Sequence, residues 1–515
     1  MTSPFKIIFS VAILTLASRV ISLIALLVYM AFFGPQDIRL NIYAYALNIP
    51  NMVFNVFWAG IVAVIVPIYT GFLAKNETAR ARAFLNDMIT IICVFVLMLV
   101  TAGLFAAPFI ASFTEYVGAD FAFLVVALRV MFSVVLFYTL QYVFQGFLHS
   151  HGKFRLAAFV EVPSGLLIIG YVIFLGDTFG VGGLLVTTAI GLSMRVLLLM
   201  PAVVKTGLRY RPSFNIKSPD VVRAGLLFVP IVVSGLSFQT SMLVNTTLAT
   251  RFNAVPILLY VQNLIFVVIL TVVYSITAVY LPKLSALWAV NDKSGFTQSF
   301  RSIVMILIFL MIPATAGFFM LRFEIINFLS GWGNFDVESV RLTADMLGIY
   351  SLGIVAVALK EMFDRGFYAQ KNSKFPALFS VMIMLVNVMF CFAFIGRFGV
   401  FTMAMGFPIS TTIGVVGLVT VMNRRVSVLT GQVMGMTVKA LLATGVMIFV
   451  LYFSLPLIRE ITLPSEILMR FFVLVIPIFI GVGVYFTCAY FLRMSQVRDV
   501  VSAVVDKMRG GEPVV

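Results

Sequence analysis

Residues 45–67 read YALNIPNMVFNVFWAGIVAVIVP, a stretch without a charged side chain that is long enough to cross a lipid bilayer as a helix. The rest of the chain has the same character, since 62% of its 515 residues are hydrophobic and 11% are charged. An ordinary soluble domain is about 25% charged, and the mean hydropathy here is +1.11. The composition therefore predicts an all-α polytopic membrane protein, surrounded by lipid over most of its length.

Apolar runs bounded by charges, glycine and proline predict about fourteen membrane-spanning segments. They lie near residues 5–33, 42–73, 85–113, 119–148, 155–176, 179–204, 221–250, 254–289, 300–329, 340–369, 375–396, 399–422, 437–457 and 466–492. The first run is longer than the 7–15 residue core of a signal peptide and has no convincing cleavage site after it. We therefore interpret it as the first span.

Basic residues concentrate in every second loop between these segments. Lys75, Arg80 and Arg82 follow the second segment, and Arg424 and Arg425 follow the twelfth. The intervening loops hold fewer basic residues and several acidic ones. Because cytoplasmic loops carry an excess of Lys and Arg, this alternation predicts an even number of spans with both termini in the cytoplasm.

The second segment aligns without a gap with the eighth, YVQNLIFVVILTVVYSITAVYLP (260–282), at an offset of 215 residues. The most informative matched pairs are Tyr45 and Tyr260, Asn48 and Asn263, Pro67 and Pro282, and Asn76 and Asn291. An even number of spans separates the two segments, so they run in the same direction. The repeat predicts two parallel six-helix lobes, residues 1–210 and 211–430, followed by two further spans and a cytoplasmic tail in 431–515. Repeats of this kind occur in transporters that alternate access around a site between the lobes.

One arginine lies midway along the first segment, in Ala17-Ser18-Arg19-Val20. A cation at the middle of a bilayer costs about 2.5–3.5 kcal/mol, so it needs a physical explanation. Arg19 has no acidic residue on its own segment. We predict that it lines a water-filled cavity and binds an anion such as a pyrophosphate, with a buried ion pair or a carbonyl contact as the alternative.

The tenth segment carries a second group of charges, Lys360, Glu361, Asp364 and Arg365. On a helix, Lys360 faces Asp364 and Glu361 faces Arg365, each pair having opposite charge and i,i+4 spacing. The spacing predicts a self-neutralising ion-pair network with a structural or gating role. Direct contact with a substrate is the alternative.

Neutral polar residues recur on the repeat-related segments. The candidates for substrate contact are Asn48, Asn51 and Asn55 on the second segment and Gln262 and Asn263 on the eighth. Hydrogen bonds between helices explain most such residues in membranes. Their concentration on the repeat-related segments is also what a shared central cavity would produce.

The sequence carries no constellation that predicts catalysis. It has no phosphate-binding loop of the Walker type and no histidine-rich metal array, and its three cysteines lack metal-ligand spacing. The net charge of +15 comes from single basic residues between apolar segments, which does not favour nucleic-acid binding. We expect a protein that is not an enzyme and that needs neither a metal nor a cofactor.

Several motifs together resemble the MurJ (MviN) lipid II flippases of the multidrug/oligosaccharidyl-lipid/polysaccharide exporter superfamily. They are Ser18-Arg19-Val20, Phe33-Gly34, Ile49-Pro50-Asn51, Val66-Pro67-Ile68, Gly146-Phe147-Leu148, Gly152-Lys153-Phe154, Leu281-Pro282-Lys283-Leu284, Gly366-Phe367-Tyr368-Ala369-Gln370 and Lys374-Phe375-Pro376. The resemblance implies fourteen helices in two lobes, a cationic central cavity, lipid II as substrate, and a groove on the last two helices for its polyprenyl tail. Arg19 matches the first-span arginine of the family and inherits its role at the pyrophosphate.

The chain departs from the family where the family's cavity is charged. Phe54 and Asn55 stand at the positions of its paired arginines, Ala25 and Leu26 at those of an Arg-Asp pair, and Gln262 and Asn263 at those of an Asp-Arg pair. We predict translocation of lipid II across the bacterial inner membrane by alternating access. The alternatives are a flippase for another polyprenyl-pyrophosphate-linked glycan and a non-transporting scaffold for envelope synthesis. The expected partners are the lipid-linked anionic glycan, membrane lipids and possibly envelope-synthesis enzymes, with the protein itself a monomer.

Overall fold

The computed structural model describes residues 4–151, 153, 156, 159–208, 210–460, 465–494 and 496, some of them by backbone alone. Within these residues the secondary structure is helical, without a β-strand. The helices are α1 (Pro4–Phe33), α2 (Ile38–Ala74), α3 (Thr78–Ala111), α4 (Gly118–Ser150), α5 (Glu161–Lys205), α6 (Pro219–Ala249), α7 (Val255–Ala289), α8 (Lys293–Met320), α9 (Arg322–Ser330), α10 (Val337–Ser351), α11 (Ile354–Ala369), α12 (Lys374–Phe398), α13 (Phe401–Arg425), α14 (Gly431–Arg459) and α15 (Glu466–Phe491). The all-α prediction is confirmed, as expected for a chain that must satisfy its backbone hydrogen bonds inside lipid.

The predicted apolar segments all lie largely on these helices. Two of them divide between helices: 300–329 extends over α8 and α9, and 340–369 extends over α10 and α11. Among the described residues, nine helices are long and apolar enough to cross a membrane, or ten if α10 and α11, which meet at 44°, form one bent span. The chain is therefore a multi-pass membrane protein, and the count of fourteen spans stays a prediction. The predicted cytoplasmic tail after residue 496 lies outside the described part of the chain.

The helix α5 contains the fifth and sixth predicted segments, which meet at a break. Gly180 has φ 57° and ψ −152°, a conformation that L-residues with a side chain rarely adopt. Ser164 lies before this break and Arg195 lies after it, and Arg195 Nε donates a hydrogen bond of 2.9 Å to Ser164 Oγ. A continuous helix would separate these residues by about 46 Å, so the two arms of α5 run antiparallel.

The helix α1 packs along the first arm of α5 where glycines let the backbones approach. A Cβ atom on Gly165 would lie 2.6 Å from Ile21, and one on Gly176 would lie 2.8 Å from Phe32. Both contacts advance in the same direction along the two helices, so they run parallel. This direction agrees with the predicted alternation, in which the first and fifth segments cross the membrane in the same sense.

The chain divides into two compact units by its internal contacts. Unit 1 comprises Met1–Ile257 and Gly333–Phe335, and unit 2 comprises Leu258–Trp332 and Asp336–Val515. In unit 1, α6 packs against α2, with the Tyr45 hydroxyl 3.1 Å from Thr247 Oγ1. The two lobes and the C-terminal pair predicted from the repeat are defined by sequence rather than by contact, and their boundaries stay a prediction.

The repeat-related helices α2 and α7 have the same C-terminal geometry. They end at Ala74 and Ala289, at the predicted offset of 215 residues from each other. Asn76 and Asn291 follow in the left-handed region, with φ of 59° and 60°. Asparagine tolerates this conformation better than most residues with a side chain. The sequence match at these positions therefore marks a repeated turn.

In unit 2, α12 and α13 form an antiparallel pair, again through glycines. A Cβ atom on Gly414 would lie 2.2 Å from Ile383, and one on Gly417 would lie 2.1 Å from Phe379. The last two helices, α14 and α15, pack against each other, and Tyr485 on α15 donates a hydrogen bond of 2.7 Å to the carbonyl oxygen of Phe309 on α8. Small residues at helix contacts are typical of membrane proteins, where close packing must replace the hydrophobic effect.

Candidate substrate-binding site

Arg19 lies on an exposed part of α1 in unit 1. Its side chain is exposed, while the neighbouring Ser18 is buried and donates a hydrogen bond of 2.9 Å to the Leu14 carbonyl oxygen. Arg19 interacts electrostatically with Tyr142 on α4. The ion pairs that unit 1 forms within the described residues involve Arg80 and Arg251, at helix ends. The charge of Arg19 is therefore available to an anion.

Aromatic side chains from α2 and α4, including Tyr142, stack on one another in unit 1. The ring of Trp58 stacks on that of Tyr138 at 4.6 Å and on that of Tyr142 at 5.4 Å. Trp58 is buried, and its indole Nε1 donates to Thr139 Oγ1 at 3.2 Å. The hydrogen bond attaches the indole to α4, and the two tyrosine rings stack against it.

A second arginine reaches the same tyrosines from the second arm of α5. The Arg195 guanidinium lies 5.7 Å from the centre of the Tyr138 ring, and its Nε is fixed by the bond to Ser164. Glu161, at the start of α5, interacts electrostatically with both Tyr138 and Tyr142. We use the name unit 1 cluster for Trp58, Tyr138, Tyr142 and Arg195, together with Arg19 and Glu161, whose charges act on these tyrosines.

Arg195 was not among the site residues predicted from the sequence. Its signal was the same as that of Arg19, a cation inside an apolar segment without an acid one helical turn away. The missing information was the turn at Gly180, which folds the second arm of α5 back so that Arg195 comes to lie beside Ser164.

The predicted asparagines on α2 differ in how far the helix itself satisfies them. Asn48 Nδ2 donates to the Ala44 carbonyl oxygen at 2.8 Å, and Asn51 Nδ2 donates to that of Leu47 at 2.7 Å. Asn55 is exposed and lies one turn before Trp58. Of the three, Asn55 has the side chain best placed to meet a ligand.

The adjacent polar residues Gln262 and Asn263 on α7 point to different environments. Gln262 is 6% exposed and donates through Nε2 to the Tyr350 hydroxyl at 2.9 Å. Asn263 is exposed, and its Nδ2 donates to the Leu259 carbonyl oxygen at 2.8 Å, just as Asn48 bonds to Ala44. In this conformation Gln262 binds within unit 2, and Asn263 remains accessible.

The four charges of α11, also in unit 2, form the two pairs that their spacing suggests. Lys360 Nζ lies 2.7 Å from Asp364 Oδ2, and Arg365 Nη1 lies 2.7 Å from Glu361 Oε2. The Asp364 side chain is 9% exposed, and its second oxygen, Oδ1, is buried without a hydrogen-bond partner within the described chain. These charges neutralise each other locally, whereas Arg19 carries its charge on an exposed side chain.

The chemistry available to the unit 1 cluster is anion binding. The guanidinium group of arginine is planar and permanently charged, and its N–H donors suit phosphate oxygens. Arg19 and Arg195 supply two such groups. Over the described residues, no group of three or more His, Cys, Asp and Glu side chains could hold a metal ion. Of the site residues predicted from the sequence, Arg19, Asn48, Asn51 and Asn55 belong to unit 1. Gln262, Asn263 and the four charged residues of α11 belong to unit 2.

Two solved structures have folds similar to this one. The lipid II flippase MurJ in an inward closed conformation matches with a TM-score of 0.75 at 21% identity, over 95% of this chain and 99% of that chain. An inward-facing multidrug resistance MATE family transporter of the MOP superfamily matches with a TM-score of 0.64 at 16% identity, over 81% and 98%. These likenesses show that the chain shares the fold of these two structures.

Sequence comparison gives the family. A lipid II flippase MurJ of Burkholderia cenocepacia is 23% identical over 408 residues, covering 77% of this chain and 79% of its own. A probable lipid II flippase MurJ of Rhizobium tropici is 27% identical over 392 residues, covering 72% of each. The family model described as lipid II flippase MurJ matches residues 30–473. Because that match spans well over half of the 515 residues, the resemblance seen in the sequence is confirmed and the chain belongs to the lipid II flippase MurJ family.

Proposed function

We propose that this protein moves lipid II from the cytoplasmic to the periplasmic leaflet of the bacterial inner membrane by alternating access. The observation that carries the proposal is the match to the flippase family over residues 30–473, with relatives matching over most of their own length. The multi-pass helical fold and the exposed Arg19 support it. The work done is transport, and the residues described suggest no covalent chemistry.

Within this function, Arg19 binds the pyrophosphate of the substrate. A hydrogen bond to a charged group contributes about 1.5–3 kcal/mol, enough for one arginine to dominate the affinity of a mostly neutral cavity. Arg195 adds a second cation from a position fixed by Ser164 and Tyr138. Asn55 and Asn263 supply neutral contacts because both are exposed, with Asn48, Asn51 and Gln262 bonded to the protein in this conformation.

The α11 pairs act as a gating network rather than as a substrate site. Both cations already have a carboxylate 2.7 Å away, so binding a substrate anion would require one of these pairs to break. A gate needs groups that exchange partners between two conformations, and in this role the four side chains would replace their present i,i+4 partners with groups on other helices. Neutralisation on the helix keeps the group tolerable in lipid while it does so.

The organisation around this site follows the positive-inside prediction. Both termini lie in the cytoplasm, the two lobes comprise residues 1–210 and 211–430, and the remaining residues 431–515 add two spans and a tail. The protein works as a monomer that meets lipid II in the cytoplasmic leaflet, where envelope-synthesis enzymes release it. Labelling of single cysteines introduced at Asp177 and at Lys374 tests this arrangement, since only the first should react with an impermeant reagent added outside the cell.

Depletion of the native flippase in a bacterial host tests the function directly. The chain and its Arg19→Ala variant are expressed at matched levels, and lipid II in the outer leaflet is measured with an externally added enzyme that cleaves it. We expect rescue and cleavable lipid II with the wild-type chain, and a loss of at least about tenfold with Arg19→Ala. The matched control is Arg129→Ala, which removes another exposed arginine from a unit 1 helix.

The two failures are distinguishable. If the well-expressed wild type leaves no cleavable lipid II outside, translocation of lipid II is wrong for this chain, and a different lipid-linked glycan or a scaffold role replaces it. If the wild type works and Arg19→Ala works equally well, the function stands and Arg19 is not the pyrophosphate site. An equal loss with Arg129→Ala would also remove the special role of Arg19.

A further inference from the structure

A cleft of about 730 Å³ lies at one end of unit 2, and its lining contains none of the candidate substrate-site residues. Its walls are the beginning of α8, the end of α13 and the beginning of α14. Its polar lining includes Lys293 and Arg301 on α8 and Arg425 on α13. Ser427, in the loop between α13 and α14, and Gln432, at the start of α14, also line the cleft. We call it the basic cleft.

The basic cleft holds three cations and no carboxylate among its lining residues. The nearest acid in sequence, Asp292, is occupied as the N-cap of α8, where its Oδ1 accepts from the Gly295 N–H at 2.8 Å. The ion pairs formed by unit 2 within the described chain use other cations, at Arg322, Lys360, Arg365, Arg459 and Arg470. Three like charges around one cleft repel each other, so an anion bound among them would relieve that repulsion.

The two arginines are held in position by the protein. Arg301 Nη2 donates to the Ser427 carbonyl oxygen at 2.8 Å, which fixes the guanidinium at the wall. Its Nε is buried without a hydrogen-bond partner in the part of the chain that the structure describes. Arg425 lies over the Phe375 ring, 4.9 Å from its centre. Preorganised arginines with unused donors are what recognition of a phosphate group requires.

The surroundings favour a lipid as the source of that phosphate. The helices α8, α13 and α14 are all apolar enough to span a membrane, so the cleft lies where their ends reach the bilayer surface. From the cleft, α14 continues with exposed Met434, Val438 and Leu441, at the three- and four-residue spacing of one helix face. This apolar face is positioned to receive acyl chains, while the volume of the cleft suits a whole head group rather than a single ion.

We propose that the basic cleft binds the phosphate head group of an anionic phospholipid in the adjacent leaflet. Arg301 and Arg425 contact the phosphate, Lys293 adds charge at the mouth, and Gln432 contacts the polar part of the head group. The positive-inside prediction places this end of unit 2 in the cytoplasmic leaflet. The site ties the start of α8 to the loop between α13 and α14 through a lipid.

Native mass spectrometry of the purified full-length protein, titrated with phosphatidylglycerol and with phosphatidylcholine, tests the proposal. Each cation near an anionic surface contributes about fivefold in affinity. We therefore expect the double variant Arg301→Gln, Arg425→Gln to bind phosphatidylglycerol about twenty-five-fold more weakly, with phosphatidylcholine unchanged. The matched control is Lys283→Gln, Lys374→Gln, which removes two exposed charges of unit 2 outside the cleft.

Three results would overturn it: no preference of the wild type for phosphatidylglycerol, an equal loss in the control variant, or displacement of phosphatidylglycerol by inorganic phosphate at comparable concentration. The last result would assign the cleft to a free phosphate. Arg301 bonds to the backbone, so thermal unfolding of each variant is measured alongside. If the double variant unfolds, a second double variant, Lys293→Gln, Arg425→Gln, takes its place because both side chains are exposed. It should lose affinity for phosphatidylglycerol by the same factor of about five for each charge removed.

Discussion

Arg19 on α1 and the four charged residues on α11 are both charges within apolar helices, yet the protein treats them in opposite ways. On α11 each cation has a carboxylate 2.7 Å away, supplied by the same helix one turn along. Arg19 is exposed, and no acid lies on its own helix. The difference separates charge that the protein neutralises for itself from charge kept available for a ligand.

Removing one partner of a paired charge should destabilise the protein more than any other change at these positions. Asp364→Asn leaves the Lys360 ammonium, with 19% of its side chain exposed, without its carboxylate. Breaking a buried pair in this way costs about 3–5 kcal/mol. We expect the free energy of unfolding, measured by SDS denaturation followed by circular dichroism, to fall by that amount.

The control for that variant removes both charges together. Lys360→Met, Asp364→Leu should have a stability within about 1 kcal/mol of the wild type, or above it, because no charge is left unpaired. Equal destabilisation by the single and double variants would show that the pair is not what keeps these charges tolerable. Loss of transport in a stable double variant would favour the gating role.

A smaller effect is expected for a neutral polar group that the protein satisfies internally. Tyr350→Phe removes the acceptor of the buried Gln262 amide and should lower the unfolding free energy by about 1–3 kcal/mol. The adjacent Asn263 is exposed, so Asn263→Ala should change it by about 0.5 kcal/mol or less. Similar values for the two variants in thermal unfolding would contradict the distinction between a structural and an accessible amide.

Giving Arg19 an acidic partner on its own helix, as the cations of α11 have, should weaken its binding of an anion. Ser22 is exposed and lies three residues after Arg19, so Ser22→Glu places a carboxylate within pairing distance of it. A pairing energy of about 1 kcal/mol would reduce substrate affinity about fivefold. The measurement is the concentration dependence of lipid II translocation in vesicles. Ser22→Gln, which has the same size without the charge, should transport normally.

Removing the unpaired charge of Arg19 should have little effect on the stability of the protein. Because Arg19 is exposed, Arg19→Gln should change the unfolding free energy by about 0.5 kcal/mol or less, as should Arg129→Gln. Transport should be lost only in the first. A destabilisation of Arg19→Gln comparable to that of Asp364→Asn in the same SDS titration would show that Arg19 has a structural partner after all.

The sequence predicted the helices well because lipid leaves the backbone few alternatives. A segment that cannot bond to water must form a helix, so uncharged runs between polar loops identify the helices by themselves. The paired charges on α11 were equally accessible to prediction, since the i,i+4 spacing puts their side chains within reach of each other on any helix. The match of Asn76 with Asn291 was part of the predicted repeat, and the structure adds that both residues adopt the same left-handed turn.

The substrate-site residues were harder to predict because adjacent positions looked alike. Gln262 and Asn263 are both polar residues in an apolar run, and only the packing of α7 decides that the first meets Tyr350 and the second is exposed. Arg195 and Arg19 carried the same sequence signal, and the antiparallel arms of α5 decide that Arg195 is fixed to Ser164. Such outcomes depend on which face of each helix is covered.

The amino-acid sequence alone establishes a helical membrane protein with an internal repeat, a self-neutralised charge group on α11 and a lone arginine on α1. The folded chain was needed to show that Trp58 and Arg195 meet at Tyr138, and that Lys293, Arg301 and Arg425 surround one cleft. The physical reason is the solvent. A helix that is apolar all round carries no stripe to mark its buried face, so its neighbours are chosen by close packing at residues such as Gly165 and Gly176.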